Sequence, residues 1–378
     1  MNKDIKIGLL IPKSQQYPTL DRDFMRGLKL NNLDVKFYVE SIGIGANEKI
    51  IIEKIQKLNL QEDINIIVGF FGHYNMTQVF EYTSNNDILL IAADLGATMP
   101  YGTSAYKGVY LNSLGLTESC YQLGKYLTTK KYTKIASATS YYDSGYGMLS
   151  AIEHAFTEST NFSGHYITPF IPREDEAIHM NQHITAQEPD AVFAFYSGLY
   201  AEENADFINQ NKITQKYPFY VTPFFINNKI LEQYQNNPHE LYVVGSWMQN
   251  SSQDSDFETE YEKTYAAIPT VFSVLGYENG LILKNILIES NFNTNTSNLI
   301  NYVNKVNIEG PRGTIQFDQD TNRTIFNNHI YKLNSDPLSN IGFEKIETLV
   351  NEGSFVKAIT SYKEPVQITG WQNAYLCH

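Results

Sequence analysis

The sequence predicts a two-lobed α/β protein built on parallel β-sheets. Short apolar segments alternate with helical patterns almost without a break between residues 5 and 247. Several of these segments, such as "IKIGLLIP" (5–12) and "ILLIAA" (88–93), are apolar throughout, as expected for strands that are covered on both faces. The chain has 378 residues, more than one compact core usually contains. Together these features indicate two doubly wound, Rossmann-like lobes with right-handed crossovers.

The first run of elements opens the chain. Its apolar segments predict strands at 5–12, 35–41, 64–70 and 88–93, and its periodic segments predict helices at 20–31, 47–60 and 76–85. The helix at 47–60 illustrates the pattern, because Ile50, Ile51, Ile55 and Leu58 are expected to form one apolar stripe along it.

A second run repeats the pattern after a short strand at 108–112. It predicts helices at 116–129, 147–158, 176–187, 200–211 and 226–236, and strands at 134–138, 165–170, 191–195, 218–222 and 241–247. The two runs join near residues 113–115, where we expect the chain to pass from one lobe to the other.

The last third of the chain has a different pattern. It predicts helices at 256–266 and 271–290, and the string "GPRGTIQFDQDTNRTIFNNHIYKL" (310–333) is typical of a hairpin of two strands around a polar turn. Weaker patterns suggest strands at 355–361 and 365–369.

Charge and composition exclude several function classes. The net charge is −13, from 28 Lys and Arg against 41 Asp and Glu, so nucleic acid and anionic membranes are poor partners. No run approaches the roughly 18 consecutive apolar residues of a membrane helix. Met1 is followed almost at once by the first strand, which leaves two origins open: a leader has been removed, or the protein is cytoplasmic.

The search for catalytic and metal-binding motifs finds no convincing match. The sequence has no GxSxG, Walker or HExxH string, and "GIGANE" (43–48) lacks the third glycine of a dinucleotide fingerprint. His179 and His183 are four residues apart, a spacing that can bind zinc but that more often marks a solvated helix face. We therefore expect no catalytic residues, no metal and no cofactor. For Cys120 and Cys377 two unpaired thiols are favoured, although a disulfide stays open.

Several strings, in order, resemble the type I periplasmic binding proteins, and most closely the leucine/isoleucine/valine and amide binders of ABC transporters. The strings are "IGLLIPKSQQY" (7–17), "IIVGFFGHYN" (66–75), "ILLIAADLGATMP" (88–100), "SYYDSGYGMLSAIEHAF" (140–156), "LGYENGLIL" (275–283) and "GPRGTIQFDQD" (310–320). The resemblance extends over residues 4–333.

The resemblance implies an architecture and a function. The first lobe is expected to contain residues 1–114 and 248–330, and the second residues 115–247 and 331–378, with three crossings and a ligand cleft between the lobes. The implied function is capture of a small molecule by hinge closure, followed by delivery to an ABC-transporter permease. It further implies a monomer, located in the periplasm or anchored outside the cytoplasm by a lipid if a leader has been removed.

Two ligand-holding features of the amino-acid binders are altered here. Those binders hold the ligand carboxylate through hydroxyls at positions that match His73 and Gly96, and Asp94 lies nearby. The acidic residue that holds the ligand ammonium falls near Phe224. An ammonium without a counter-charge in a closed site would cost several kcal/mol, so we do not expect a free α-amino acid in the usual pose.

The candidate ligand contacts are largely aromatic. They are Tyr17, His73, Tyr74, Asp94, Gly96, Tyr146, Tyr196, Phe224, Phe272 and Tyr277. Their character suits an aromatic compound, an amide, a nucleobase or a short peptide. His73 and Tyr74 follow the strand that ends near Gly69, at the edge where open α/β sheets bind ligands.

Two other functions remain to be weighed against transport. A ligand sensor of the same fold, cytoplasmic or linked to a receptor, would use the same lobes, and the absence of a leader favours it. An enzyme using the same cleft would need a reactive pair of side chains, for which the sequence gives no convincing candidate.

Overall fold

A computed structural model describes most of the chain and divides it into two units. The described residues are 5–71, 76–99, 105–213, 216–236, 240–251, 256–334, 342–353, 355, 359 and 375–377. Unit 1 comprises Met1–Gly115, Ser255–Phe326 and Gly353–His378, and unit 2 comprises Leu116–Asp254 and Asn327–Glu352.

Unit 1 contains the first run of predicted elements, together with three helices and two short strands from the last third of the chain. Its strands are β1 (Lys6–Ile11), β2 (Lys36–Ser41), β3 (Ile66–Phe70), β4 (Leu89–Asp94), β5 (Val109–Ser113), β11 (Ile308–Gly310) and β12 (Gly313–Ile315). Its helices are α1 (Leu20–Leu30), α2 (Glu48–Glu62), α3 (Thr77–Asn85), α9 (Asp256–Tyr265), α10 (Val271–Glu289) and α11 (Thr296–Val303).

The first five strands form a parallel sheet in the order β2-β1-β3-β4-β5. Every residue of β3, β4 and β5 is buried, because helices cover both faces of the sheet. An apolar cluster runs through α2, α3 and the sheet, around Ile51, Phe80 and Leu90. The parallel α/β architecture predicted from the apolar runs is thus confirmed for this unit.

Helix α10 packs closely on α1. A Cβ added at Gly276 would lie 2.0 Å from the carbonyl oxygen of Phe24, and one added at Gly27 would lie 2.0 Å from that of Ser273. Only glycine permits this approach of two helix backbones. Helix α10 is long and apolar enough to cross a membrane, but 72% of its most apolar stretch is buried inside the protein, as in a core helix.

Unit 2 contains the second run of elements. Its strands are β6 (Lys134–Ser140), β7 (Asn161–Thr168), β8 (Ala191–Phe195), β9 (Phe219–Val221), β10 (Leu241–Gly245), β13 (Asn328–Asn334) and β14 (Gly342–Leu349). Its α-helices are α4 (Leu116–Thr129), α5 (Met148–Glu153), α6 (Glu176–Ala186), α7 (Gly198–Asn211) and α8 (Asn228–Asn236).

The sheet of unit 2 has the order β14-β13-β10-β9-β8-β6-β7, with β6 to β10 parallel. Strands β13 and β14 extend it in antiparallel fashion. The hairpin predicted over 310–333 is therefore wrong: β12 pairs with β11, and β13 joins the other unit. The polar segment between β12 and β13 contributes isolated bridges, among them Phe317 to Thr324.

The C-terminal tail also departs from its predicted place. The expectation is that it continues the second lobe, but the structure groups residues 353–378 with unit 1, so the chain changes unit four times instead of three. The cause is local packing: Phe355 and Ile359 are buried, and the Ser14 hydroxyl donates to the carbonyl of Leu376. The strand predicted over 355–361 is wrong at both described positions, which have helical backbone, and the one over 365–369 lies outside the described residues.

Both cysteines are free and buried, Cys120 in α4 and Cys377 in the C-terminal tail. This agrees with the favoured interpretation of two unpaired thiols. Burial raises the pKa of both thiols, that of Cys377 to about 12.

Candidate functional site

The strand order locates the ligand-binding edge of each sheet. In an open parallel sheet, ligands bind beyond the carboxyl ends of the strands, where neighbouring strands send their connections to opposite faces. In unit 2, β6 lies between β7 and β8, which places this switch point between β6 and β8. In unit 1 the corresponding position lies between β1 and β3.

A buried carboxylate organises the switch point of unit 2. The Ser140 hydroxyl, at the end of β6, donates to Asp143 Oδ2 over 2.6 Å. Ser197, which caps α7 just after β8, donates to the same carboxylate from its backbone N–H (3.0 Å) and its hydroxyl (2.7 Å). All three residues are buried. These bonds join the loops that follow β6 and β8 into one rigid base.

Two tyrosines from the loop after β6 and one from the first turn of α7 lie together. The rings of Tyr142 and Tyr200 are stacked, with centroids 5.9 Å apart and planes at 17°. The ring of Tyr146 meets Tyr142 edge-on at 5.5 Å, and its hydroxyl donates to the Tyr142 hydroxyl over 3.3 Å. Tyr142 and Tyr200 are partly exposed. We call these three residues the tyrosine cluster.

The electrostatic environment keeps the phenol of Tyr200 protonated. Burial raises its pKa, and the negative charges of Asp143 and Glu203 raise it further. Burial likewise raises the pKa of Glu203. The phenol of Tyr200 therefore remains a hydrogen-bond donor over the whole physiological pH range.

Two further hydroxyls lie at this edge of unit 2. Thr139 precedes the last residue of β6 and Thr222 directly follows β9, and both are buried. Neither hydroxyl has a hydrogen-bond partner among the residues that the structure describes. They add two buried hydroxyl groups to those of Ser140 and Ser197 at this edge.

The predicted ligand contacts that lie in unit 2 divide into two groups. Tyr146 belongs to the tyrosine cluster, and Phe224 lies in a short 3-10 helix after β9 with 5% of its surface exposed. Tyr196 instead packs in the core of unit 2, fully buried, with its hydroxyl 3.0 Å from that of Thr168. Sequence reasoning missed Tyr142 and Tyr200. The signal available for both was their position shortly after two strands that flank a switch point.

At the carboxyl edge of unit 1 the structure brings two predicted residues together. Tyr17, in the loop after β1, meets Phe272 at the start of α10 with ring centroids 5.4 Å apart. Phe272 in turn contacts Phe70, the last residue of β3, at 5.8 Å. Phe272 is buried and Tyr17 is half-buried, so the tyrosine forms the outer end of this aromatic row.

Asp94 and Gly96 have structural partners in unit 1. The carboxylate of Asp94 forms an ion pair with Arg323, both side chains being 1% exposed. Gly96 has φ +63°, and a Cβ there would lie 2.7 Å from Ser113 Oγ. The ligand role expected for Asp94 is not favoured by this arrangement, because its charge is neutralised within the fold.

The remaining predicted residues lie elsewhere. The ring of Tyr277 packs against that of Phe257 in α9, with centroids 4.7 Å apart. The backbone carbonyl of Tyr277 accepts a hydrogen bond from the side-chain amide of Asn31, which follows the C-terminal end of α1. It therefore does not join the Tyr17 and Phe272 pair. His73 and Tyr74 lie outside the described residues.

A second buried ion pair fixes the end of β5. Arg312 Nε donates to both carboxylate oxygens of Glu278 at 3.0 Å, and Arg312 Nη1 donates to the carbonyl of Ser113 over 2.7 Å. Asn112 links to the same carboxylate and to Arg312 Nη2. This network holds the chain two residues before it leaves unit 1 at Gly115.

No group of three His, Cys, Asp or Glu side chains in the described part of the chain is placed to hold a metal ion. Nε2 of His179, one of the histidines weighed as a zinc pair, lies 3.2 Å from the carboxylate of Asp175, one helical turn away.

Comparison with known proteins agrees with this architecture. The profile of a family described as "Periplasmic binding protein" matches residues 4–337. Comparison with curated protein sequences found no match.

Solved structures with the same fold cover most of the chain. A solute-binding protein of an ABC transporter from R. palustris, in complex with benzoate, is 18% identical with a TM-score of 0.71, covering 92% of this chain and 96% of that one. An ABC transporter substrate-binding protein from Sphaerobacter thermophilus is 15% identical with a TM-score of 0.77, covering 92% and 98%. A leucine binding protein from Thermotoga maritima is 13% identical with a TM-score of 0.65, covering 91% and 98%.

Proposed function

Because the chain belongs to the periplasmic binding protein family, we propose that it is a solute-binding protein that captures a small molecule with a flat aromatic or amide group. The family match and the structures of similar fold, which are named as transporter binding proteins, support capture rather than catalysis. Delivery to an ABC-transporter permease and a location outside the cytoplasm are the corresponding parts of this proposal.

The tyrosine cluster is the observation that carries the proposal. Its stacked pair, Tyr142 and Tyr200, presents two nearly parallel rings at the ligand-binding edge of unit 2. A planar ligand can extend such a stack, and phenol hydroxyls beside it can donate to a carbonyl oxygen. The buried base of Asp143, Ser140 and Ser197 holds the loops in place, so little ordering is needed when a ligand binds.

Charged groups in each of the two units bear on the ligand class. Asp143 is a buried carboxylate close enough to Tyr200 to raise the pKa of its phenol. The buried arginines of unit 1, Arg312 and Arg323, are paired with Glu278 and Asp94. We therefore expect a neutral aromatic amide to bind at least as tightly as an aromatic carboxylate.

Free leucine fits this arrangement poorly for two reasons. It has no flat face for the stacked tyrosines, and Phe224 stands where the resemblance predicts the acidic residue that would hold an ammonium. A ligand sensor would use the same capture chemistry, but the comparisons, several of which name ABC-transporter binding proteins, do not favour it.

Isothermal titration of the purified protein with benzamide, benzoate and leucine tests the proposal. We expect saturable binding of benzamide, equal or weaker binding of benzoate, and none of leucine. Tight leucine binding without binding of either aromatic compound would contradict the ligand class.

A matched pair of variants connects binding to the tyrosine cluster. Tyr142→Ala removes one ring of the stack and should weaken binding at least about tenfold, which corresponds to about 1.4 kcal/mol. Tyr242→Ala is the control, because Tyr242 stacks on Tyr220 at the same 17° angle in the same unit, but at the start of β10 instead of at a carboxyl end. Equal losses of affinity in the two variants would show that binding does not depend specifically on the tyrosine cluster.

A further inference from the structure

A short turn in the C-terminal tail is buried in unit 1. It consists of Tyr375, Leu376 and Cys377, which are 4%, 0% and 3% exposed. We call these three residues the C-terminal turn. Burial of all three side chains means that specific contacts hold this part of the tail against the unit.

The C-terminal turn docks on the loop after β1. The hydroxyl of Ser14 donates to the carbonyl of Leu376, and the same hydroxyl oxygen accepts the backbone N–H of Tyr17 over 2.8 Å. This loop follows one of the two strands that flank the switch point of unit 1, and Tyr17 is the outer ring of the aromatic row. The turn thus lies on the surface where the ligand-binding edge of unit 1 is expected.

The hydrogen bond to Leu376 uses the only proton that the Ser14 hydroxyl can donate. A serine hydroxyl has one proton to donate. While that proton is donated to Leu376, the Ser14 hydroxyl cannot also donate to a bound molecule. Displacing the turn is therefore a precondition for any ligand that accepts a hydrogen bond from this hydroxyl.

The turn can detach while Phe355 and Ile359 stay buried. Phe355 and Ile359 are 0% and 1% exposed and belong to the same unit, so they anchor the beginning of the tail separately. Detaching the turn breaks a local set of contacts, among them the Ser14 hydrogen bond, and exposes Leu376 and its neighbours. Such local opening is far less costly than unfolding of the unit.

We propose that the C-terminal turn is a built-in occluding segment, which competes with a small-molecule ligand for the Ser14 loop and is released when the ligand binds. This inference rests on the proposed function and adds regulation to it. The apparent affinity is reduced in proportion to the fraction of molecules in which the turn is detached. Removing its hold should therefore tighten ligand binding.

A thiol-labelling experiment measures whether the turn is docked. Cys120→Ser leaves Cys377 as the single thiol, and Ellman's reagent reports its exposure. Leu376→Asp places a charge where the leucine is fully buried, so we expect Cys377 to react at least about tenfold faster. Leu60→Asp in the same background is the matched control, since Leu60 lies in unit 1 and is 78% exposed.

Titration with benzamide then measures competition. We expect Leu376→Asp to bind about tenfold more tightly than the parent and Leu60→Asp to bind as the parent does. Saturating benzamide should also speed labelling of Cys377 in the Cys120→Ser protein. Thermal unfolding of each variant checks that both units remain folded.

The outcomes separate the inference from the proposed function. If the parent binds benzamide and Leu376→Asp binds it with equal or lower affinity, the occluding role is overturned while the proposed function stands. If neither protein binds benzamide or benzoate, the proposed function is contradicted and the occluding role with it. Fast labelling of the parent without ligand would show that the turn is not docked, which also overturns the inference.

Discussion

Arg323 and Asp94 form an ion pair in the interior of unit 1, with 3.4 Å between Nη1 and Oδ2 and only 1% of either side chain exposed. They are 229 positions apart in the sequence. Arg323 Nη2 also donates to the Ser113 hydroxyl over 2.8 Å, and the bridge between Leu111 and Arg323 aligns the two segments. The pair therefore joins the ends of β4 and β5 to the polar segment before β13, close to two points where the chain leaves unit 1.

Removing one partner of this pair should destabilise the protein strongly. Arg323→Met leaves the Asp94 carboxylate buried without this counter-charge, and we expect a loss of about 3–5 kcal/mol in the free energy of unfolding. Urea denaturation followed by circular dichroism measures it. The control is Lys107→Met, which breaks an ion pair with Asp87 whose side chains are 58% and 68% exposed and should change little. Similar midpoints for both variants would show that the buried pair is not structurally important.

Any side chain at Gly96 should lower the free energy of unfolding. Gly96→Ala combines a left-handed backbone with a Cβ 2.7 Å from Ser113 Oγ and 3.0 Å from Arg323 Nη2. Gly43→Ala has the same backbone strain, with φ +62°, but its Cβ would meet nothing within 4 Å. We expect Gly43→Ala to cost about 1–2 kcal/mol and Gly96→Ala measurably more, the difference being the steric conflict. Equal urea midpoints would mean that Ser113 and Arg323 can move aside freely.

The stability of unit 2 should fall in mild acid because of His329. Burial lowers the pKa of this histidine to about 4, and the charge of Lys345 contributes to the same shift. The unfolded chain takes up a proton near pH 6.5, whereas the folded ring does not until about pH 4. Stability present above pH 6.5 is therefore lost progressively as the pH falls towards 4.

The variant His329→Gln tests this dependence. Its urea midpoint should decline less than that of the parent between about pH 7 and about pH 4.5, a range above the titration of Glu176, whose pKa is about 2. His154→Gln, at an exposed position, is the control for loss of a histidine. Parallel pH profiles of the parent and His329→Gln would contradict the assignment.

Local pattern is sufficient to predict the parallel architecture of the chain. The run "ILLIAA" contributes to β4, which is buried at every position because both faces of a parallel sheet are covered by helices. Strand β13 is misassigned from its sequence because its partners, β10 and β14, are set by the sheet it joins and not by its own alternation. A strand's choice of neighbour is a long-range property that local periodicity does not encode.

The candidate site is less predictable for the same physical reason. Tyr146 can be identified from the resemblance, and it joins the tyrosine cluster. Tyr196 directly follows a strand, but its side chain points into the core, where its hydroxyl meets that of Thr168. Arg323 gives no signal in the sequence, because its partner Asp94 comes from a distant strand. Side-chain direction and long-range pairing depend on the assembled sheet, which local pattern does not specify.

Thr139 and Thr168 carry buried hydroxyl groups with different hydrogen bonding. Both are 1% exposed, and they lie near the ends of the adjacent strands β6 and β7. The Thr168 hydroxyl is bonded to that of Tyr196, whereas the Thr139 hydroxyl has no partner among the described residues. Replacing each by valine keeps the shape and removes only the hydroxyl.

We expect the two substitutions to affect stability differently. Thr168→Val should lower the free energy of unfolding by about 1–3 kcal/mol, because it leaves the buried Tyr196 hydroxyl without its partner. Thr139→Val should leave stability unchanged or slightly higher, since it removes a buried polar group that the described part of the fold does not satisfy. If the Thr139 hydroxyl serves the ligand at the switch point, the same variant should bind benzamide several-fold more weakly in calorimetric titration. A Thr139→Val protein that loses stability but keeps full affinity would assign this hydroxyl to the fold instead.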